Sequence, residues 1–402
     1  MPIKLEVKNL SKVFGKNPKK ILKLIERGAT KEEILEKTGH NIGVSNASFK
    51  VKEGEIFVVM GLSGSGKSTL IRCLNRLIEP TDGDIIIDGV NISDLKDEEL
   101  LNIRRKKVAM VFQNFALLPH RTVLDNVAFG LEIQKVNFKK RREKAKLMLD
   151  LVGLKGYEDS IPKELSGGMQ QRVGLARALA TDPDILLLDE AFSALDPLIR
   201  KEMQDELISL QAKMQKTIIF ITHDLDEALK IGDRIAIMKD GNIVQIGEPE
   251  EILKNPADDY VHDFVKDVNR TKVITASTVM KEPDTLAIEG ESVKVCLRKM
   301  KEANISSIFV TDKRKRLKGV ITADKAMQLI KGNRDDLKEG VYRNIRTVNP
   351  ETTIKEILPL FSDYNFPIAV TEKENELLGI IFKASVLSGL LGEEELVCQE
   401  SK

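Results

Sequence analysis

A glycine-rich run, GLSGSGKST at residues 61 to 69, constrains this chain more than any other feature. It follows the apolar run EIFVVMG (55 to 61) and precedes LIRCLNRL, where Leu70, Leu74 and Leu77 recur at helical spacing. Strand, glycine loop and helix in that order define a phosphate-binding loop, because absent Cβ atoms let backbone N–H groups close around an anion at the positive end of a helix. Gly61, Gly64 and Gly66 free that backbone, Lys67 reaches the β and γ oxygens of a nucleoside triphosphate, and Ser68 offers a hydroxyl to Mg2+. Ser63 and Thr69 belong to the same ATP-binding set.

Two further apolar runs, PDILLLDE (183 to 190) and KTIIFITH (216 to 223), read as buried parallel strands beside the first. Open α/β sheets bind ligands beyond the carboxyl ends of their strands, so the residues just after each run matter most. Asp189 is placed to enter the Mg2+ shell and Glu190 to polarise the attacking water. His223 ends its strand at the same edge and joins the catalytic set. Gln113, after VAMVFQ (108 to 113), fits a ligand for both Mg2+ and water.

LSGGMQQRVGLARAL (165 to 179) is a second anion site, although no strand precedes it. Met169, Val173, Ala176 and Ala180 define one helical face, which puts Ser166, Gly167 and Gly168 at the helix start, where N–H groups and dipole favour negative charge. It has no base of its own.

Organisation follows from pattern. RIAIMKDGNIVQIG (234 to 247) reads as a hairpin turning at Asp240 and Gly241. Residues 15 to 42 interrupt the early strands with a helical hairpin, its second helix opened by a Thr30/Glu33 capping box and closed at Gly39. The pattern changes near DVNRTK (267 to 272), and an internal repeat comes after it: SIFVTDKRKRLKGVI (307 to 321) and PIAVTEKENELLGII (367 to 381) align at an offset of 60 residues. Two such strand-turn-strand-helix units are expected to pair, since one alone buries too little. The expected domains are 1–267 with its insertion at 15–42, repeats at 273–332 and 340–392, and an acidic tail at 393–402.

Charge and cysteine content exclude several functions. Lys plus Arg number 63 against 62 Asp plus Glu, a net charge of +1, so there is no global attraction to nucleic acid or membrane. Cys73, Cys296 and Cys398 are too few and too scattered for a disulfide framework or zinc site, which indicates a reducing compartment. No apolar stretch approaches the roughly 18 residues of a membrane span.

Taken together, the phosphate loop, Gln113, LSGGM, ILLLDE, SALD (193 to 196) and His223 resemble, in order and spacing, the ATP-binding cassette (ABC) ATPases over roughly residues 1 to 265. The fold this implies is α/β: a P-loop ABC nucleotide-binding domain, with a mixed-sheet core and a helical subdomain. The resemblance implies a head-to-tail homodimer in which Ser166, Gly167 and Gly168 of one cassette close on the ATP of the other, and Asp196 couples the two sites. It also implies an adenine-stacking aromatic, for which Phe14 in SKVFG stands where tyrosine is usual. Met169 replaces the usual glutamine.

The inserted hairpin, GLSGSGKSTLIRCLNRLIEPTDG and the paired repeats resemble more narrowly the ATPase subunit of the glycine betaine/proline betaine importers, whose repeats are tandem cystathionine-β-synthase (CBS) domains, an α+β module. That resemblance implies ATP and Mg2+ as cofactors, a separate permease, a substrate-binding protein or domain, and a position on the cytoplasmic face of the membrane. The cassette itself is blind to cargo, so an importer of an amino acid, choline or carnitine is the alternative. With no Trp and four Tyr, the chain is poorly equipped for the aromatic cages that hold quaternary ammonium groups. Phe115, Leu117 and Leu118 offer either a permease contact or core packing. GVITADK and GIIFKAS depart from the adenosine-binding CBS pattern; the subfamily resemblance implies instead a cyclic dinucleotide, cyclic di-AMP, between the repeats, while KRKRLK (313 to 318) suggests an ionic-strength response at an anionic membrane surface.

Overall fold

Residues that alternate between buried and exposed give way, after residue 55, to residues buried on every side, and the two patterns build two different sheets. In a computed structural model describing residues 2–391, apart from 267, 269, 284 and 365, the chain divides into Met1–Val268 and Asn269–Lys402. The expected acidic tail at 393–402, Cys398 included, lies outside the described residues.

In the first unit, β1 (Ile3–Phe14) pairs antiparallel with β2 (Asn41–Lys52). Between them stand α1 (Lys19–Glu26) and α2 (Lys31–Thr38), the inserted hairpin. Thr30 Oγ1 accepts from Glu33 N at 3.2 Å, Glu33 Oε2 accepts from Thr30 N at 3.1 Å, and Gly39 ends the helix at φ 69°, as the capping box and glycine predict. Ile34 and Ile21 bury against Val13 and Ile42, tying the hairpin to the strands it interrupts.

β3 (Ile56–Met60) leads into α3 (Lys67–Leu74). This helix stops earlier than the Leu70, Leu74, Leu77 spacing implies: Arg76 turns to φ 54° and Leu77 is left half exposed. β4 (Asp82–Ile87) and β5 (Val90–Asn91) complete the antiparallel sheet in the order β2-β1-β4-β5. After α4 (Asp97–Lys106) comes β6 (Val108–Val111). Then α5 (Val123–Ile133), α6 (Phe138–Leu151) and α7 (Gly167–Ala180) pack on one another through Val127, Leu131, Ala145, Leu149 and Val173, forming the helical subdomain.

The remaining elements alternate: β7 (Ile185–Asp189), α8 (Pro197–Met214), β8 (Thr217–Thr222), α9 (Leu225–Ile231). Last come β9 (Arg234–Lys239), β10 (Asn242–Gly247), α10 (Pro249–Lys254) and α11 (Asp259–Val265). The second sheet runs β10-β9-β3-β8-β7-β6, parallel except for β10, the return arm of the hairpin whose turn places Asp240 at φ 48° and Gly241 at φ 86°. Every residue of β3, β7 and β8 is buried, as a sheet covered on both faces requires. Phe49 of the first sheet stacks on Phe57 of the second at 5.1 Å, and α3 contributes Leu70, Ile71, Cys73 and Leu74 to the same core. Strand register aligns the carboxyl ends: Met60 pairs with Thr222, Asp189 with Ile221 and Val111 with Leu188, so the segments after β3, β6, β7 and β8 emerge together.

In the second unit each repeat is a three-stranded sheet. β11 (Ala287–Ile288), β12 (Ser307–Thr311) and β13 (Leu317–Thr322) form one; β14 (Thr347–Val348), β15 (Ile368–Thr371) and β16 (Leu377–Ile381) form the other. The predicted alignment appears in the register: Thr311 pairs with Leu317 and Thr371 with Leu377, with the same irregularity one residue earlier in both. α12 (Ala276–Val279), α13 (Val293–Glu302), α14 (Ala323–Lys331), α15 (Ile354–Ile357) and α16 (Lys383–Leu391) cover the sheets. Phe309, Leu317 and Val320 of the first repeat share a core with Ala369, Leu377 and Ile380 of the second, which is the pairing their size demands.

Candidate nucleotide-binding and hydrolysis site

Gly61, Ser63, Gly64 and Gly66 form the loop between β3 and α3, and Lys67, Ser68 and Thr69 begin the helix. Glycine is forced at two of these positions. A Cβ on Gly61 (φ 154°) would lie 2.2 Å from Met238 O, and one on Gly66 (φ 107°) 2.0 Å from Gly43 O. The loop therefore lies closer to neighbouring backbone than any side chain permits. Lys67 is buried at 4 % exposure, and its Nζ donates to Gly61 O at 2.8 Å and Leu62 O at 3.0 Å. Burial lowers its ammonium below the usual lysine range, although Glu190 and Asp189 pull the other way.

Four of the predicted residues converge. Glu190 Oε1 lies 4.0 Å from Lys67 Nζ; Glu190 Oε2 accepts from Gln113 Nε2 at 3.3 Å and stands 3.6 Å from His223 Nδ1. The shared strand register brings them together, and a backbone device aims the carboxylate. Glu190 adopts φ 46°, with its own N–H donating to Ile221 O and its carbonyl accepting from Ser193 N and Oγ. A left-handed non-glycine residue costs about 1–2 kcal/mol, held here by those three bonds.

Asp189 is buried at the end of β7, and Arg72 Nε and Nη2 donate to its Oδ2 at 3.3 and 3.1 Å. Ser68, Gln113 and Asp189 supply hard oxygen donors, the set that suits Mg2+. Phe14, 40 % exposed, flanks the loop: Phe14 Cε2 and Thr69 Cγ2 each lie 2.8 Å from where a Gly43 Cβ would sit, and Lys12 Nζ stands 5.1 Å over the ring. An aromatic face this open beside a phosphate loop suits stacking on a base.

Ser166, Gly167, Gly168 and Asp196 are placed elsewhere. Ser166 caps α7 by accepting from Met169 N at 3.3 Å. The neighbours of Gly167 and Gly168 are Leu195, Phe115 and Ile199, around Asp196, which caps α8 by accepting from Ile199 N at 3.1 Å. The starts of α7 and α8 thus lie side by side, with Gly168 packed on Ile199.

Some participants were not signalled by any motif. Arg72 meets Asp189 across 117 residues, and Arg200 Nη2 donates to Ser193 O and Leu195 O while Nη1 lies 3.5 Å from Asp224 Oδ2, linking the segments after β7 and β8. An arginine in a surface helix carries no spacing signal for such work. Phe115, Leu117 and Leu118 are half-buried, and Arg177 holds Phe115 O and Ala116 O. In the second unit, Arg316 Nε and Lys318 Nζ approach Asp312 Oδ2 at 2.7 and 3.4 Å, so part of the basic run is already paired. Desolvation raises the Asp312 carboxyl, but the N–H groups of Arg316 and Arg314 and the Arg316 guanidinium outweigh it and hold it well below the usual carboxylate range.

A phosphate loop feeding a mixed sheet, paired acids after a parallel strand, and a serine-glycine helix on a helical subdomain define an ATP-binding cassette ATPase. Residues 44–193 match the ABC transporter family, and residues 265–332 and 340–392 each match the CBS domain. A dimeric ATP-binding cassette solved in a post-hydrolysis state bound to ADP and Pi is 33% identical, with a TM-score of 0.52 over 61% of this chain and 98% of that one. The chain is also 54% identical to the glycine betaine transport ATP-binding protein OpuAA of Bacillus subtilis, covering 99% of this chain and 95% of that one. It is 55% identical to the glycine betaine/carnitine transport ATP-binding protein GbuA of Listeria monocytogenes, covering 97% and 98%. The chain belongs to this family of glycine betaine transport ATP-binding proteins, the ATP-hydrolysing subunits of ABC transporters. No helix among the described residues is long and apolar enough to cross a membrane.

Proposed function

We propose that this chain powers import of glycine betaine or a related quaternary amine, working on the cytoplasmic face of the membrane with a separate permease and a substrate-binding protein or domain. The observation that carries the reading is the convergence of Lys67, Gln113 and His223 on Glu190, in a chain whose similarity to betaine importer subunits runs through the inserted hairpin and both repeats. Lys67 and the loop N–H groups hold the β and γ phosphates, Phe14 stacks on adenine, and Glu190, aligned by Gln113 and His223, takes the proton of the attacking water. Ser68, Gln113 and Asp189 hold Mg2+, which neutralises charge on the phosphate oxygens when bound. Two copies pair head to tail, so that Ser166, Gly167 and Gly168 of one close on the ATP of the other and Asp196 couples the sites. The gathering of these residues at the adjoining starts of α7 and α8 supports this. Phe115, Leu117 and Leu118 face the permease.

Between the repeats lies a cavity of about 630 Å³ lined by Lys281, Phe309, Tyr364, Phe366, Phe382 and Lys383. Aromatic faces for bases and ammonium groups for phosphates favour cyclic di-AMP as its regulatory ligand over an uncharged solute. Calorimetry with cyclic di-AMP tests this: saturable binding, weakened in Lys281→Gln and Lys383→Gln, supports it, and no heat of binding in the full chain rejects it. Transport is tested by reconstitution with the permease: ATP-dependent uptake of betaine supports the cargo, and uptake confined to choline, carnitine or an amino acid supports the alternative.

A further inference from the structure

The carbonyl groups of the phosphate loop are held by donors from the loop itself, from its helix and from beyond it, and one of the donors from beyond comes from the inserted hairpin. Gly241 N donates to Ser65 O at 2.8 Å, Leu70 N to Gly66 O at 2.9 Å, and Lys67 Nζ to Gly61 O and Leu62 O. Lys31 Nζ donates to Gly64 O at 2.9 Å. The C=O and N–H of a trans peptide point in opposite directions, so each carbonyl held outside the loop fixes where the next N–H points. For the Gly64–Ser65 peptide both ends are bonded, since Ser65 N donates to Leu62 O at 3.2 Å. Gly64 itself sits at φ 81°, and beyond its two chain neighbours nothing lies within 4 Å of where its Cβ would be. A glycine this unrestrained needs an external tether to stay in one conformation.

Lys31 is well placed to supply one. It is the first residue of α2, directly after the capping-box Thr30, and α2 is anchored through Ile34 to Val13 and Ile42, the neighbours of Phe14 and Gly43. We propose that the inserted hairpin is a brace for the nucleotide site and that Lys31 is a positioning residue, holding the Gly64–Ser65 peptide so that the phosphate cradle is formed before ATP arrives. This rests on the assignment of the loop as the ATP site. There Lys67 trades its carbonyl partners for phosphate oxygens, while Lys31 stays on the outer face. Preorganisation of this kind changes affinity and leaves the chemical step alone.

The test uses the purified full-length chain. In Lys31→Met, the dissociation constants for a non-hydrolysable ATP analogue and for inorganic tripolyphosphate both rise roughly fivefold, the scale of one ordinary intramolecular hydrogen bond, since this one is exposed to water. KM for ATP rises with them, and kcat stays within about twofold. Lys31→Arg, which keeps a donor, recovers most of the affinity. Unchanged ATP affinity in Lys31→Met, a loss for ATP without one for tripolyphosphate, or an equal loss in Lys31→Arg each overturns the proposal. Lys67→Ala separates the two assignments: if that variant still binds the analogue normally, the loop assignment itself fails, whatever Lys31 does.

Discussion

Gln113 Nε2 donates to Glu190 Oε2 across 3.3 Å, joining the segments that extend from two adjacent parallel strands. The same carboxylate lies 3.6 Å from His223 Nδ1, beyond the next strand. Three strand ends in register thus meet at one acid, in a backbone conformation that only a defined local turn makes tenable.

Replacing Glu190 with Gln keeps the size and the hydrogen-bonding edge but removes the base. ATP binding is expected to persist while steady-state hydrolysis falls by about 100-fold or more, with ATP-bound dimers accumulating on size exclusion. Near-normal turnover assigns the water-polarising role elsewhere.

His223→Ala removes a ring that touches Glu190 and leaves the phosphate loop intact. The expected outcome is a fall in kcat of roughly 100-fold with KM for ATP little changed, read from initial rates.

At Gly66, a methyl group meets Gly43 O at 2.0 Å, at a φ of 107° that L residues rarely adopt. Gly66→Ala is therefore expected to abolish nucleotide binding and to lower the melting temperature by roughly 5 °C or more, by calorimetry.

Glu227 is buried, accepting from Thr222 Oγ1 and Gln204 Nε2, and desolvation raises its carboxyl above the ordinary glutamate value despite those bonds. A raised folded-state value means its contribution is fully present below about pH 4.5 and is lost as pH rises through the folded value. The stability of Glu227→Gln relative to the unsubstituted chain should increase from pH 4.5 upward, measured by denaturant titration; a difference independent of pH contradicts the assignment.

Asp312 engages Arg316 and Lys318, whereas Lys313, Arg314 and Lys315 are exposed and make no ion pair among the described residues. If the basic run reads ionic strength, changing those three to Gln flattens the salt response of reconstituted transport, and changing Arg316 and Lys318 does so less. An unaltered response in the triple variant removes the run from regulation.

Much of this was legible in the chain itself. A phosphate loop, a buried acid-ended strand and a capping box are local patterns whose physics is complete within a few residues, and Thr30, Glu33 and Gly39 behave as their types require. The contacts of Lys31 with Gly64 and of Arg72 with Asp189 join residues 33 and 117 positions apart, through side chains with no characteristic spacing. Only the assembled sheets bring them together. The early end of α3 was also hidden, because Arg76 takes a left-handed conformation that its residue type does not announce.

The most direct measurement is ATP hydrolysis by this chain reconstituted with its permease, with and without glycine betaine, across a series of internal salt concentrations. Hydrolysis that betaine stimulates, and that rises with salt, is the predicted result. Hydrolysis indifferent to betaine at every salt concentration contradicts betaine import as its function.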